Sequence, residues 1–282
     1  MIIELTKMNG SGNDFILIDN RSHFLRSVSL PDLARTLCRR RESVGADGLI
    51  LVEESNLADF KWRFFNADGS EAEMCGNGGR CVARYAYENS IAGPTLTFET
   101  LAGIIRAEIK GRRVKIELPE VTNPQTEMII SVDGKEYTVS FINTGVPHTV
   151  LMVDDLPPVP VAELGRKIRF HPAFQPAGTN VNFVWVRDSS HIHIRTYERG
   201  VEAETLACGT GSVASALVAA ILRGVASPVD VMTQGGEVLT ISFTKTPKGS
   251  FPRVFLEGDT CLVLKGTAEE DIWLQYNKLT GF

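Results

Sequence analysis

The sequence predicts an α/β (α+β) fold in two pseudo-symmetric halves, each a curled, barrel-like mixed β-sheet around a central buried helix. Three observations carry this. Landmarks recur 133 residues apart: Gly45 with Gly178, Cys75 with Cys208 and Gly103 with Gly236. A fixed period of this kind marks a duplicated unit. Val213 to Leu222 is apolar on every face apart from Ser215, as in a helix enclosed on all sides. Each half also carries enough strand-like runs to supply the enclosing sheet.

The elements follow in chain order. Phe15 to Asp19 reads as a strand and Pro31 to Arg40 as a helix, answered in the second half by Val150 to Asp154 and Val161 to Ile168. The apolar runs Leu49 to Val52 and Phe183 to Val186 each follow a glycine turn and read as buried strands. Lys61 to Phe65, Thr95 to Phe98, Ile104 to Ile109 and Val114 to Leu118 complete the first set of strands. After Leu118-Pro119-Glu120, Val121 to Glu127 is polar and turn-prone. The joint is therefore set at 121, giving halves 1–121 and 122–265, with a tail 266–282 that packs back on the first half.

Composition removes several classes of function. The 282 residues contain 29 Lys+Arg against 34 Asp+Glu, a net charge of −5, with 43% hydrophobic and 22% charged residues. No basic field exists to hold a phosphate backbone, so nucleic acid is not an expected partner. The first fifteen residues mix Glu4, Lys7, Asn9 and Asp14 with glycines and lack a signal-peptide apolar run. The run at 213–222 is about half of the roughly 20 residues that span a bilayer, so a cytoplasmic protein without a membrane span is expected. Five cysteines without CxxC spacing indicate neither a disulfide framework nor a zinc site.

Chemistry points to two of those cysteines. Cys75-Gly76-Asn77-Gly78 and Cys208-Gly209-Thr210-Gly211 share C-G-x-G between a strand and a helix. Each thiol is thus expected at a helix N-terminus, where unpaired N–H groups and the positive dipole end lower a thiol pKa and attract a carboxylate. Cys38, Cys81 and Cys261 are read as buried, inert thiols. Two pseudo-symmetric halves closing over one substrate would present a thiolate and a thiol to opposite faces of one carbon, the arrangement of a two-base racemase. Fixed donors of the helix starts would stabilise the developing negative charge at the substrate carboxylate. Two thiols so placed are also expected to oxidise to a disulfide without ligand.

At these residues the sequence resembles the diaminopimelate epimerase family along nearly its whole length. The resemblance rests on Lys7 to Phe15 (KMNGSGNDF), Phe65 to Ser70 (FNADGS), Met74 to Cys81 (MCGNGGRC), Tyr197 to Gly200 (YERG) and Ala207 to Gly211 (ACGTG). It implies cofactor-independent interconversion of LL- and meso-diaminopimelate, in lysine and peptidoglycan precursor biosynthesis, by Cys75 and Cys208. It further implies that Gly76, Asn77, Gly209 and Thr210 bind near the reacting carboxylate. Asn13, Asn66, Asn180, Glu198 and Arg199 are implied to hold the distal amino acid group, whose charges their residue types complement. His148, with Glu198, is implied to tune thiol ionisation. No cofactor and no metal is implied, and a homodimer is the assembly by analogy. Gly48 and Val146 depart from members that carry Gln and Asn there.

Other motifs carry less. Gly10-Ser11-Gly12 lacks the third glycine and following helix of a dinucleotide loop. No G-x-S-x-G or Gly-Lys-Ser/Thr is present. His191 and His193 lie on one face of a strand whose alternation with Ile192 and Ile194 describes a solvent face rather than a metal site. Two other functions compete: a two-thiol racemase of another amino acid, and a non-catalytic amino-acid-binding protein that has lost turnover.

Overall fold

A computed structural model describes residues 2–121, 124–247 and 249–280. In chain order the elements are β1 (Ile3–Gly10), β2 (Asn13–Asp19), α1 (Leu30–Cys38), β3 (Gly48–Glu53), β4 (Phe60–Asn66), β5 (Glu71–Ala72), α2 (Gly76–Glu88), β6 (Thr95–Thr100), β7 (Gly103–Lys110) and β8 (Arg113–Leu118). They continue with β9 (Gln125–Val132), β10 (Lys135–Asn143), β11 (Pro147–Met152), α3 (Val161–Arg169), β12 (Asn180–Val186), β13 (His191–Glu198) and β14 (Ala203–Thr205). The last are α4 (Gly209–Leu222), β15 (Val229–Met232), β16 (Val238–Thr244), β17 (Arg253–Asp259), β18 (Cys261–Ala268) and α5 (Ile272–Thr280). The chain divides into one compact unit of Met1–Ile116 with Asp259–Phe282 and another of Glu117–Gly258.

Strand pairing repeats from unit to unit. The first unit runs β18-β1-β2-β3-β4-β6-β7-β8, with β2–β3 and β4–β6 parallel and the other pairs antiparallel. The second runs β9-β10-β11-β12-β13-β15-β16-β17, with β11–β12 and β13–β15 parallel. Both are mixed sheets, and within each unit the first and last strands of the order have no pairing between them among the described residues. β18 takes in the first unit the place that β9 takes in the second. For this reason residues 261–265, assigned from the sequence to the second half, lie in the first, with Asn9 paired to Cys261 and Ile3 to Ala268. The turn-prone joint also reads differently: Val121 bridges Phe251, and Gln125 already opens β9; Thr122 and Asn123 lie outside the described residues.

Each unit carries one helix inside its sheet; outside it the first unit has α1 and α5 and the second α3. α4 buries every residue from Gly211 to Ala220 against β10, β11, β12, β13, β15 and β16. Its apolar surface explains this, since burying a Val or Leu side chain stabilises by roughly 1.5–3 kcal/mol. Leu217→Ala would cost about 2–5 kcal/mol. Ile221 and Leu222 are only half-buried at its end. α2 lies against β1, β2, β3 and β7 in the same way. α1 covers the outer face of the first sheet with Leu33, Ala34 and Leu37. Pro31 at its start and Asp32 in its first turn fit the N-terminal preferences of helices. α5 packs against the same cluster through Ile272, Trp273 and Tyr276, and Tyr276 Oη accepts from the Ser29 N–H at 2.8 Å. α3 covers the outer face of the second sheet through Val161 and Ile168.

Candidate active site

The first unit places Cys75 at the N-cap of α2, in extended conformation (φ −143°, ψ 119°). The close approach of sheet to helix requires the glycines that follow: a Cβ on Gly78 would meet Ile50 Cδ1 at 3.1 Å and Phe15 Cε1 at 3.5 Å. Cys75 Sγ donates to Asn13 Oδ1 at 3.7 Å. Asn13 is itself fixed, because its Nδ2 donates to Asp47 Oδ2 at 2.6 Å. Arg40 bridges Asp47 at 2.9 Å and Asp14 at 2.6 Å, and Lys7 meets Asp14 at 3.1 Å. Burial works to raise the Asp14 pKa, but hydrogen bonds from Arg40 and Lys7 outweigh it and hold the carboxyl below its usual range.

Gly76 and Asn77 open α2 over a wholly buried cation. Arg80 donates to Gly76 O at 3.2 Å, Ser11 Oγ at 2.6 Å and Asn77 Oδ1 at 3.0 Å, tying the β1–β2 turn to the first turn of the helix. Asn66 ends β4 opposite Gly48, and its Nδ2 donates to Ser70 Oγ at 3.0 Å. The structure explains Gly48: a Cβ there would lie 2.5 Å from Phe64 Cε2 and 2.8 Å from Phe65 O. A side chain at 48 therefore requires both that ring and the strand carbonyl to shift.

The second unit places Cys208 at the N-cap of α4 with nearly the same backbone (φ −129°, ψ 111°), but here the thiol caps the helix, accepting from the Gly211 N–H at 3.4 Å. Thr210 Oγ1 lies 3.6 Å from Cys208 Sγ and 3.0 Å from His148 Nε2. His148 Nδ1 accepts from Asn182 Nδ2 at 3.1 Å. Burial, with a contribution from the Arg199 guanidinium, pushes the imidazole pKa down to about 3, so it is neutral at physiological pH. Asn180 ties three segments, accepting from the Arg199 N–H at 2.8 Å and donating to Pro147 O at 3.1 Å. Arg199 Nη1 donates to Ala177 O at 2.9 Å, and Glu198, half-buried, precedes it at the end of β13. Val146 contributes its carbonyl to the Thr144 N–H at 3.2 Å.

Of the predicted residues, Asn13 meets Cys75, and Thr210, bonded to His148, meets Cys208; Asn66 and Glu198 end β4 and β13, Asn180 opens β12 and Arg199 follows β13. Sequence reasoning missed Asp47, Arg80, Asn182 and Thr196. Asn182 carried a signal, since it stands two residues after Asn180 on a strand and is polar in a run of Val, Phe and Trp. None of the five cysteines is joined in a disulfide. Cys38 and Cys81 are buried, with pKa values pushed up to about 12 mainly by desolvation, whereas Cys261 is exposed on β18 rather than buried as read from the sequence. His191 pairs with Asp188 at 2.8 Å and His193 packs edge-on to Trp185. No three His, Cys, Asp or Glu among the described residues are grouped to hold a metal. No described helix is long and apolar enough to cross a membrane.

The fold is shared with solved proteins of low sequence identity. A PhzF-family phenazine biosynthesis protein from Bacillus anthracis superposes with a TM-score of 0.74 over 95% of this chain and 99% of its own, at 17% identity. A probable proline racemase from Agrobacterium radiobacter K84 matches with a TM-score of 0.69 over 95% of this chain and 92% of its own, at 16% identity. Within that fold, the chain belongs to the diaminopimelate epimerase family, whose model matches residues 5–122 and 140–259. The diaminopimelate epimerase of Aquifex aeolicus is 50% identical over 97% of this chain and all of its own length. That of Archaeoglobus fulgidus is 45% identical over 90% of this chain and 95% of its own.

Proposed function

We propose that this protein is an isomerase that interconverts LL- and meso-2,6-diaminopimelate, in lysine and peptidoglycan precursor biosynthesis, by moving the α-proton between Cys75 and Cys208. The observation that carries the reading is a cysteine at the N-cap of the enclosed helix in each of two duplicated units, in a chain half identical to a named diaminopimelate epimerase. One sulfur, as thiolate, takes the α-proton; the other, as thiol, returns a proton to the opposite face, and the roles reverse with direction. Proton transfer by a positioned group supplies about 10²- to 10⁴-fold.

The amides of Gly76, Asn77, Gly209 and Thr210, at the two helix starts, are the donors for the reacting carboxylate. Asn13, Asn66, Asn180, Glu198 and Arg199 hold the distal ammonium and carboxylate, and a homodimer remains the assembly we propose. The test is proton NMR of reduced protein with LL-diaminopimelate in deuterated water without added cofactor. α-Deuterium incorporation with accumulation of the meso isomer is the expected result. Exchange on another amino acid of a substrate panel but not on diaminopimelate would make it a racemase of that amino acid. Binding without any exchange would make it a binding protein.

A further inference from the structure

Asn182, Thr196 and His148 are polar, and each is at most 2% exposed beneath the first turn of α4. The corresponding places in the first unit are apolar. Ile50 pairs with Phe64 across β3–β4 as Asn182 pairs with Thr196 across β12–β13, and Phe15 stands 133 residues before His148. Phe15 and Phe64 meet edge to face at 5.8 Å. One unit therefore supports its thiol's helix with hydrocarbon and the other with an amide, an imidazole and a hydroxyl. Burying such groups is unfavourable unless every one is hydrogen-bonded, and a fully bonded set fixes a single arrangement.

The arrangement has one direction. Asn182 Nδ2 donates to Thr149 O at 3.3 Å, and a carbonyl can only accept, so this end of the amide is the NH₂ group. Its other hydrogen goes to His148 Nδ1 at 3.1 Å, while Thr196 Oγ1 donates to Asn182 Oδ1 at 2.9 Å. Nδ1 is then an acceptor, and the proton of the neutral ring sits on Nε2. Nε2–H donates to Thr210 Oγ1 at 3.0 Å, which leaves the Thr210 hydroxyl hydrogen for Cys208 Sγ at 3.6 Å. The Gly211 N–H reaches the same sulfur. In the first unit the polarity is opposite, with Cys75 Sγ donating to Asn13 Oδ1.

We propose that Thr196, Asn182, His148 and Thr210 form a one-way hydrogen-bond chain that ends as a donor on Cys208 Sγ. Asn182 and Thr196 are thereby positioning residues that hold Cys208 as the resting thiolate, with Cys75 as the resting thiol. The inference rests on the two-thiol reading and assigns its starting state. β11 contributes His148 as the ionisable group on this side of the thiol; α4 and β16 carry no ionisable residue; Glu198 and Arg199 follow at the end of β13. Arg199 disfavours a charge on His148, which keeps the ring a neutral donor.

The test is a pH titration of the reduced full-length protein carrying ¹³Cβ-labelled cysteine, whose shift separates thiolate from thiol. The Cys208 and Cys75 signals are assigned by their loss in Cys208→Ala and Cys75→Ala. At pH 7 the Cys208 signal is expected to be that of a thiolate and the Cys75 signal that of a thiol. Thr196→Val and Asn182→Leu should raise the Cys208 midpoint by about one pH unit, the scale of a lost hydrogen bond to a charged group, and leave Cys75 unmoved. Thr196→Ser should restore the original midpoint. In the unaltered protein, ¹⁵N ring shifts should show His148 protonated on Nε2, which requires no variant to fold. A Cys208 thiol at pH 7, an unmoved midpoint in both folded variants, or an Nδ1–H tautomer would overturn the proposal. These readouts need no turnover, so a failure with diaminopimelate would overturn the substrate reading and leave the chain standing.

Discussion

The Gly211 N–H donates to Cys208 Sγ at 3.4 Å, so the thiol assigned to acid–base chemistry is also the cap of its helix. Cys75 occupies the same backbone position on α2 without a side-chain capping bond. Replacing either sulfur should remove epimerisation, with kcat falling by at least about 10³-fold. Stability should separate the two: Cys208→Ala loses about 1 kcal/mol with its cap, whereas Cys75→Ala stays closer to the parent. Urea midpoints of the two variants measured beside their kcat values check the pair of outcomes.

Arg80 is fully buried and bonds Ser11, Gly76 and Asn77 at once. Arg80→Met keeps much of the volume but leaves a hydroxyl, a carbonyl and an amide oxygen without their donor in a dry place. Each such group costs about 1–3 kcal/mol, so a loss of about 3 kcal/mol is expected after partial rearrangement. Because Gly76 and Asn77, the proposed carboxylate donors, open α2, KM should rise as well, and steady-state kinetics with urea unfolding reads both effects.

Much of this was legible because duplication is a property of sequence itself. The recurring glycines and C-G-x-G motifs placed both cysteines at helix starts, and Val213 to Ala220 announced an enclosed helix through having no polar face. The boundary was not legible in the same way. Cys261 to Ala268 follows the second unit in sequence, yet completes the first sheet beside β1, and a sequential reading has no signal for a strand that closes a sheet begun some 250 residues earlier. Arg80 was also hidden, since an arginine on a helix reads as surface until its bonds to the buried Ser11, Gly76 and Asn77 are seen together. Asn182 and Thr196 look like ordinary strand residues until their pairing register aligns them with His148.

Gly48 and Phe64 form a second packed relationship beside Asn66. An added methyl at 48 would overlap the Phe64 ring at 2.5 Å and the Phe65 carbonyl at 2.8 Å. A ring can turn aside, but a strand carbonyl held in its ladder cannot. Gly48→Ala should therefore destabilise the protein by about 1–3 kcal/mol, and pairing it with Phe64→Leu should recover only part of that loss. Thermal unfolding of the two variants distinguishes ring overlap from backbone overlap.

His148 makes stability depend on pH in one direction. In the folded protein burial keeps the ring neutral down to about pH 3, while an unfolded chain protonates it near its ordinary value of 6.5. As pH falls below 6.5 the unfolded state binds the proton first, so stability declines from there toward pH 3 and is fully retained above 6.5. Between pH 7 and pH 5 this single group should remove about 2 kcal/mol. His148→Gln has no ring to protonate, so its urea midpoint should vary less over the same interval by that amount, whatever its absolute stability. Equal pH slopes for the parent and His148→Gln would mean that the ring is charged, or solvated, in the folded protein.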